Sequence, residues 1–132
     1  MNPIIFSGEL INGSLTIPMS SACKCFIGLV SIDFPNIKRP RIDNLYYDIS
    51  ITCDQVDSTM YNRKRLLRKI CMEKSNDYFN HFEFHNILYF PIDSAENKLT
   101  IRLKDQLGPI IITNKIGYPQ SVTVTLNVIP KD

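Results

Sequence analysis

Alternation of apolar and polar residues constrains this chain more than any other feature. It runs through residues 45–53, 98–104 and 121–128, where nearly every second residue is Leu, Ile, Val, Tyr or Cys. Successive side chains of a β-strand point to opposite faces, so a period of two predicts a half-buried strand with one face in a core. These three segments are therefore predicted to be strands of a sheet that is solvated on one side.

Four further segments are apolar and rich in β-branched residues, and they are also predicted to be strands: 9–17, 22–33, 84–92 and 108–114. Segment 65–73 fits a strand or a helical turn, because Arg65, Arg68 and Lys69 follow neither period. Pro, Gly, Asn and Asp separate the segments, and residues 105–108 are predicted to form a short hairpin loop.

This pattern amounts to about eight strands with a turn signal every 8 to 15 residues and no long amphipathic helix. It predicts an all-β fold, an antiparallel β-sandwich or barrel. The 132 residues suffice for one domain, so the whole range 1–132 is expected to fold as a unit.

Charge and composition narrow the function classes. Lys and Arg number 15 against 13 Asp and Glu, a net charge of +2, which is too small for a protein that coats nucleic acid. Neither an apolar run of membrane-spanning length nor a signal-peptide pattern is present. Four cysteines are few for a disulfide scaffold, so we expect reduced thiols and no export through a signal peptide.

A metal site is the first chemistry to weigh. His81, Glu83 and His85 would share one face of a strand, and such groups can bind zinc together with Cys23 and Cys25. However, the order His-Phe-Glu-Phe-His is not the helical zinc motif, and one residue between the cysteines makes a poor chelate. The favoured interpretation is a solvated strand face, with no metal and no cofactor.

The sequence signals for catalytic residues are equally weak. Cys53 and Cys71 could act as nucleophiles beside a histidine, but neither follows a motif that activates a thiolate, so both are expected to pack in the core. Asp33, Asp48 and Asp54, with Asp57, are expected at strand ends, where Asp favours turns. The chain is therefore predicted to have no enzymatic activity and to act on no small-molecule substrate.

The densest charge lies between Arg63 and Lys69, where five of seven residues are basic. Such a segment can contact phosphates, pair with an acidic patch on a neighbouring subunit, or protect an exposed strand edge. Subunit contact is preferred to nucleic acid here. The predicted interface combines these cations with aromatic residues near loop ends: Arg63, Lys64, Arg65, Arg68, Lys69, Tyr46, Tyr61, Tyr78 and Phe79.

Several landmarks give the chain a family resemblance. They are Cys53-Asp54 after an aromatic strand, Leu66-Leu67-Arg68, Tyr89-x-Pro91, Asp105-x-x-Gly108, and the final strand 122–128. With segment 25–37 upstream, this series resembles the C-terminal part of a capsid-associated protein family of Polinton/Maverick elements and adintovirus-like DNA viruses. The chain is shorter than those proteins, and the region between segment 25–37 and the strand that ends at Cys53-Asp54 is nearly absent.

The resemblance implies a single jelly roll of eight strands and a structural role in a virion, encoded by a virus, an integrated element or a host gene derived from one. The subunit would be a capsid protein or accessory at a vertex, in a spike or as cement. It would form a trimer or pentamer, contact other capsid proteins and reside in the virion after synthesis in the cytoplasm or nucleus.

The alternative is a lectin-like or receptor-binding sandwich. It would recognise a glycan or a protein through end loops that carry Tyr61, Asn62, Asn76, Asp77 and Tyr78.

Overall fold

The computed structural model describes residues 2–19, 23–38, 45–56, 65–73 and 79–131. In these ranges the chain forms β-strands and no helix, which confirms the all-β prediction. The strands are β1 (Asn2–Glu9), β2 (Ser14–Pro18), β3 (Cys23–Pro35), β4 (Ile37–Lys38), β5 (Tyr46–Cys53), β6 (Leu66–Glu73), β7 (Phe79–Glu83), β8 (Tyr89–Ser94), β9 (Lys98–Asp105), β10 (Gly108–Pro109), β11 (Ile111–Ile112) and β12 (Ser121–Pro130).

The strands form two five-stranded antiparallel sheets and one small pair. Sheet A has the order β1-β12-β3-β7, and β8 also pairs with β3. Sheet B has the order β10-β9-β5-β6, and β2 also pairs with β9. The short strands β4 and β11 pair with each other. Neighbours in both sheets are mostly distant in sequence, so long-range pairing holds the fold together.

One core lies beneath both sheets. Ile32, Phe34 and Val124 of sheet A and Ile49 and Leu103 of sheet B are all 0% exposed and belong to the same buried cluster. Full burial of such a side chain contributes about 1.5–3 kcal/mol. The apolar positions predicted in 98–104 and 121–126 are buried, which confirms the period-two interpretation there. Two predicted core positions depart from it: Leu45 precedes β5 and is 54% exposed, and Val128 near the end of β12 is only partly buried.

Two segments were wrongly predicted as single strands. Segment 9–17 contains the turn Asn12-Gly13, whose φ angles of 52° and 75° are left-handed, so β1 ends at Glu9 and β2 begins at Ser14. Asn-Gly is the usual pair at such turns, because Gly lacks the Cβ that opposes positive φ. Segment 108–114 divides into β10 and β11.

Segment 84–92 was wrongly predicted as one strand. Ser31 is opposite Glu83, and Gly28 is opposite Tyr89, so β3 has two residues where its partner has five. Residues 84–88 therefore leave the ladder between β7 and β8, although Phe84 N still donates to Val30 O at 2.9 Å. The predicted hairpin at 105–108 is present between β9 and β10.

Candidate interface

The predicted interface residues lie in separate parts of the molecule. Tyr61, Arg63, Lys64 and Tyr78 fall outside the described residues, as do Asn62, Asn76 and Asp77 of the alternative binding loops. Arg65 precedes β6, and Lys69 is exposed in the middle of that strand. Tyr46 lies opposite Glu73 at the far end of β6, while Phe79 opens β7 in sheet A opposite Pro35. The structure therefore places Arg65 just before β6 and Lys69 within it, and leaves the two aromatic residues apart from them.

A β-bulge explains why Leu67 and Arg68, although adjacent, both face inward. Ile51 is opposite Arg68 and Thr52 is opposite Leu66, so Leu67 is an extra residue on β6 and is buried. Arg68 alternates regularly with Ile70 and lies opposite Ile51, which is 0% exposed. Arg68 then crosses to sheet A, where its guanidinium lies 4.5 Å from the Phe84 ring centroid and donates to Asn86 O at 3.0 Å. This side chain joins the edges of the two sheets within one molecule.

The outer face of sheet B carries a charged cluster that sequence reasoning missed. Arg102 Nε donates to both carboxylate oxygens of Asp54 at 2.8 and 3.1 Å, and its Nη2 donates to Oδ2 at 2.8 Å. Its Nη1 donates to Ser14 Oγ at 3.0 Å. Because Asp54, Arg102 and Ser14 are far apart in sequence, only the pairing of β2, β9 and β5 reveals the cluster.

Electrostatics in this cluster favour the charged forms. The hydrogen bonds from Arg102 lower the pKa of Asp54 below its ordinary value of 3.8, although partial burial opposes the shift. The positive charges of Arg102, Arg65 and Lys104 lower that pKa further. The carboxylate in turn raises the pKa of Arg102.

Gln55 extends the polar surface towards β9. Its Oε1 accepts the backbone N–H of Thr100 at 2.8 Å, and its Nε2 donates to Glu96 at 3.4 Å. A cleft of about 650 Å³ opens here, lined by Phe6, Glu9, Thr16 and Lys98 as well as by the cluster. Asp54 and Gln55, which follow β5, form hydrogen bonds with Arg102 and Thr100 of β9, and Arg102 also bonds to Ser14 of β2. These bonds hold β2, β5 and β9 together.

A second cleft of about 680 Å³ lies at the end of the molecule that carries the β1–β2 turn. Its lining includes Leu10, Ile110 and Ile112. Two apolar side chains beside it are exposed: Ile11 by 75% and Ile111 by 56%. Exposed apolar side chains beside a cleft suit a protein contact surface, and residue spacing could not predict this one because the β1–β2 turn and β11 line the same cleft only in the fold.

Several side chains on the outer face of sheet A contact one another. Tyr89 lies across Gly28, where an added Cβ would stand 2.8 Å from the ring and 2.6 Å from Ile87, and Asn127 Nδ2 donates to Tyr89 Oη at 3.2 Å. His81 bonds to Asp33 on the same face. Glycine at position 28 therefore allows the aromatic ring to pack on the sheet.

The metal and nucleophile candidates have separate environments. His81 and Glu83 are exposed on β7, whereas His85 lies beyond the end of that strand. Among the described residues, no three His, Cys, Asp or Glu side chains converge on a metal-binding geometry. Cys53 is buried as predicted, but the prediction for Cys71 was wrong: it is exposed, because its position on β6 faces outward.

The predicted turn carboxylates differ among themselves. Asp54 follows β5 as expected, but Asp48 lies within β5 and Asp33 within β3. Asp57 is outside the described residues. No helix in the described part of the chain has the length and apolarity to cross a membrane.

The functional interpretation rests on this geometry, because comparisons with known proteins give no match. No family model, no curated protein and no solved structure matches the chain.

Proposed function

We propose that this protein is a non-enzymatic structural subunit of a virion, built as a single jelly roll. The observation that carries the jelly-roll part of this proposal is the order of the strands. If β7 and β8 are counted as one interrupted strand and the three two-residue strands are set aside, the main strands are β1, β2, β3, β5, β6, β7/β8, β9 and β12. Sheet A then has the order first, eighth, third, sixth, and sheet B has the order second, seventh, fourth, fifth.

This order is the one expected when a long antiparallel ladder wraps around a core. The ladder pairs first with eighth, second with seventh, third with sixth, and fourth with fifth strands, and all four pairings are present. Wrapping adds the pairs of eighth with third and of seventh with fourth, which are β12 with β3 and β9 with β5. Two sheets over one core with this connectivity support the proposal of a jelly-roll sandwich.

The step from fold to virion role has two supports. The first is the sequence resemblance, whose landmarks fall on strands or strand ends: Cys53-Asp54, Leu66-Leu67-Arg68 and Tyr89-x-Pro91. The second is the apolar end of the molecule with Ile11 and Ile111, a surface suited to contact between subunits. Jelly rolls serve many functions, so these surfaces, and not the fold, define the role.

A shell subunit of this kind acts by assembly. A trimer or pentamer needs a heterologous contact that closes into a ring, with two different patches of the same chain in each interface. The apolar end with Ile11 and Ile111 is one proposed patch, and the basic segment around Arg65 is the other. Other capsid proteins are the proposed further partners, and the virion is the proposed location.

The test is the solution mass by light scattering after gel filtration, at low and high salt. A discrete trimer or pentamer is expected, and dissociation by salt would implicate the basic segment. Ile11→Ser with Ile111→Ser should reduce the assembled fraction, whereas Leu88→Ser, which alters an exposed residue between β7 and β8, should not. A monomer in every condition would contradict ring assembly, and binding on a glycan array would favour the receptor-binding alternative.

A further inference from the structure

Strand β6 forms one edge of sheet B. It pairs with β5 on one side, and none of the described strands pairs with its other side. An open strand edge presents unpaired backbone N–H and C=O groups, which a second strand can bind. Two features decide what this edge can bind: which residues of β6 point these backbone groups outward, and which side chains those residues carry.

The alternation of backbone directions identifies the residues of β6 whose N–H and C=O groups point outward. Cys53 N donates to Arg65 O, and Asp54 N donates to Thr100 O, so odd-numbered residues of β5 point their backbone groups to β6 and even-numbered ones to β9. Ile49 is opposite Ile70, which therefore points its groups back to β5. It follows that Lys69, Cys71 and Glu73 point their backbone groups outward, away from the sheet: these three residues are here called the β6 edge.

The side chains of the β6 edge are also exposed. Lys69, Cys71 and Glu73 all lie on the solvated face, while Ile70 and Met72 between them are 5% and 4% exposed on the core side. The order along the edge is a cation, a small thiol and an anion. An antiparallel copy of the same three residues presents an anion, a thiol and a cation.

We propose that two copies of this chain pair through their β6 edges, antiparallel and centred on Cys71, so that the two B sheets become one continuous sheet. Lys69 of each copy lies opposite Glu73 of the other, and the two Cys71 residues face each other. Each of the three facing pairs exchanges both backbone hydrogen bonds. Ile70 of one copy then neighbours Met72 of the other on the core side.

Charge complementarity selects this occupant and this register. Lysine on an edge strand usually discourages strand addition. Here the partner strand supplies a carboxylate directly opposite, and opposite charges across a strand pair are stabilising whereas like charges are destabilising. A shift of the centre to Lys69 or to Glu73 would place like charges opposite each other at the centre.

The contact is isologous, because the same surface serves both copies. It therefore goes beyond the ring contact of a trimer or pentamer and does not depend on it. Either association can be present without the other, and their stoichiometries distinguish them.

Charge reversal tests the pairing. K69E alone and E73K alone each place like charges at both facing positions, so each should weaken the dimer about tenfold or more. An equimolar mixture of K69E and E73K places opposite charges at both positions and should restore the wild-type dimer fraction in sedimentation equilibrium. K104E changes an exposed lysine inside sheet B and should leave dimerisation unchanged, and circular dichroism should show that every variant keeps its strand content.

Cys71 supplies an independent readout. Facing residues of a hydrogen-bonded antiparallel pair have Cα atoms about 5.5 Å apart, which suits a disulfide. With Cys23 replaced by Ser and with Cys25 and Cys53 buried, oxidation by glutathione disulfide should yield a covalent dimer and two reduced glutathione molecules. Cys71→Ser should abolish that product.

Either of two results would overturn the proposal. One is a mixture of K69E and E73K that dimerises no better than each variant alone. The other is a wild-type chain that yields no Cys71-linked dimer at a concentration where association is measured. A trimer or pentamer that is insensitive to both charge reversals would support the ring contact and reject this one.

Discussion

Arg102 illustrates how one side chain can join three strands. It binds Asp54 in a bidentate geometry and Ser14 at the same time, so it ties the turn after β5 and the start of β2 to β9. Bidentate pairs between arginine and carboxylate are the stronger kind of ion pair. Because Arg102 and Asp54 are 40% and 36% exposed, solvent screening keeps the contribution modest.

The pH dependence of stability follows from this pair. The folded state lowers the pKa of Asp54, so the stabilisation is present above the ordinary value of 3.8 and is lost as pH falls through the lower folded value. Asp54→Asn should lower the free energy of unfolding by about 0.5–1 kcal/mol at pH 7, and the difference should shrink below pH 3.8. Urea unfolding at several pH values measures this.

The control is Asp48→Asn, which removes an exposed carboxylate from the same face of β5. It should change stability less at pH 7. A loss for Asp54→Asn that stays constant down to pH 2 would show that the carboxylate charge is not the source of the stabilisation.

At the scale of elements, the β6 bulge has a structural role that its sequence conceals. The extra residue Leu67 is buried beside Arg68, whose guanidinium covers Phe84 and binds the Asn86 carbonyl at the core edge. Arg68 follows regular alternation with Ile70 and Met72, so the bulge shifts only the residues that precede it. Lys69, Cys71 and Glu73 alternate with them towards solvent.

Arg68→Ala should therefore destabilise the fold by about 1–2 kcal/mol, because it removes a cation–π contact and a hydrogen bond together. Lys104→Ala, which removes an exposed cation from the interior of the same sheet, should stay within about 0.5 kcal/mol of wild type. Thermal or urea unfolding compares the two variants. Equal effects would mean that Arg68 acts only as a surface charge.

At the scale of the whole molecule, the first and last strands are neighbours. Residues 2–9 pair with residues 121–128, and β12 also pairs with β3, so β12 joins the edge strand β1 to the interior of sheet A. Both sheets cover one buried cluster, so neither has a core of its own. Bringing such distant segments together costs chain entropy before their contacts stabilise the fold, and this slows folding.

We expect a single cooperative unfolding transition and refolding in about milliseconds to seconds. The chain has six tyrosines and no tryptophan, so near-ultraviolet circular dichroism reports on tyrosine packing and far-ultraviolet dichroism on the strands. The two transitions should coincide. Separate midpoints would mean that one sheet unfolds before the other, contrary to a shared core.

The sequence alone determined the fold class and much of the core. Alternation at 98–104 and 121–126 marked the buried apolar positions correctly, because burial of one strand face is a local property with a period of two, although Thr100 is buried as well. It misplaced boundaries where a turn or a ladder mismatch intervened, as at Asn12-Gly13 and at residues 84–88. It also identified Arg65, Arg68 and Lys69 as one basic segment, without separating their directions.

Only the tertiary structure decided which residues act together. The register with β5 turned Arg68 inward while Lys69 stayed exposed, and strand pairing placed Arg102 against Asp54 and Ser14. The outward exposure of Cys71 likewise depends on register, since a shift of one residue would reverse the face of every side chain on β6. Alternation along a strand is written in neighbouring residues, whereas register and sheet order arise from contacts between segments that are far apart in the chain.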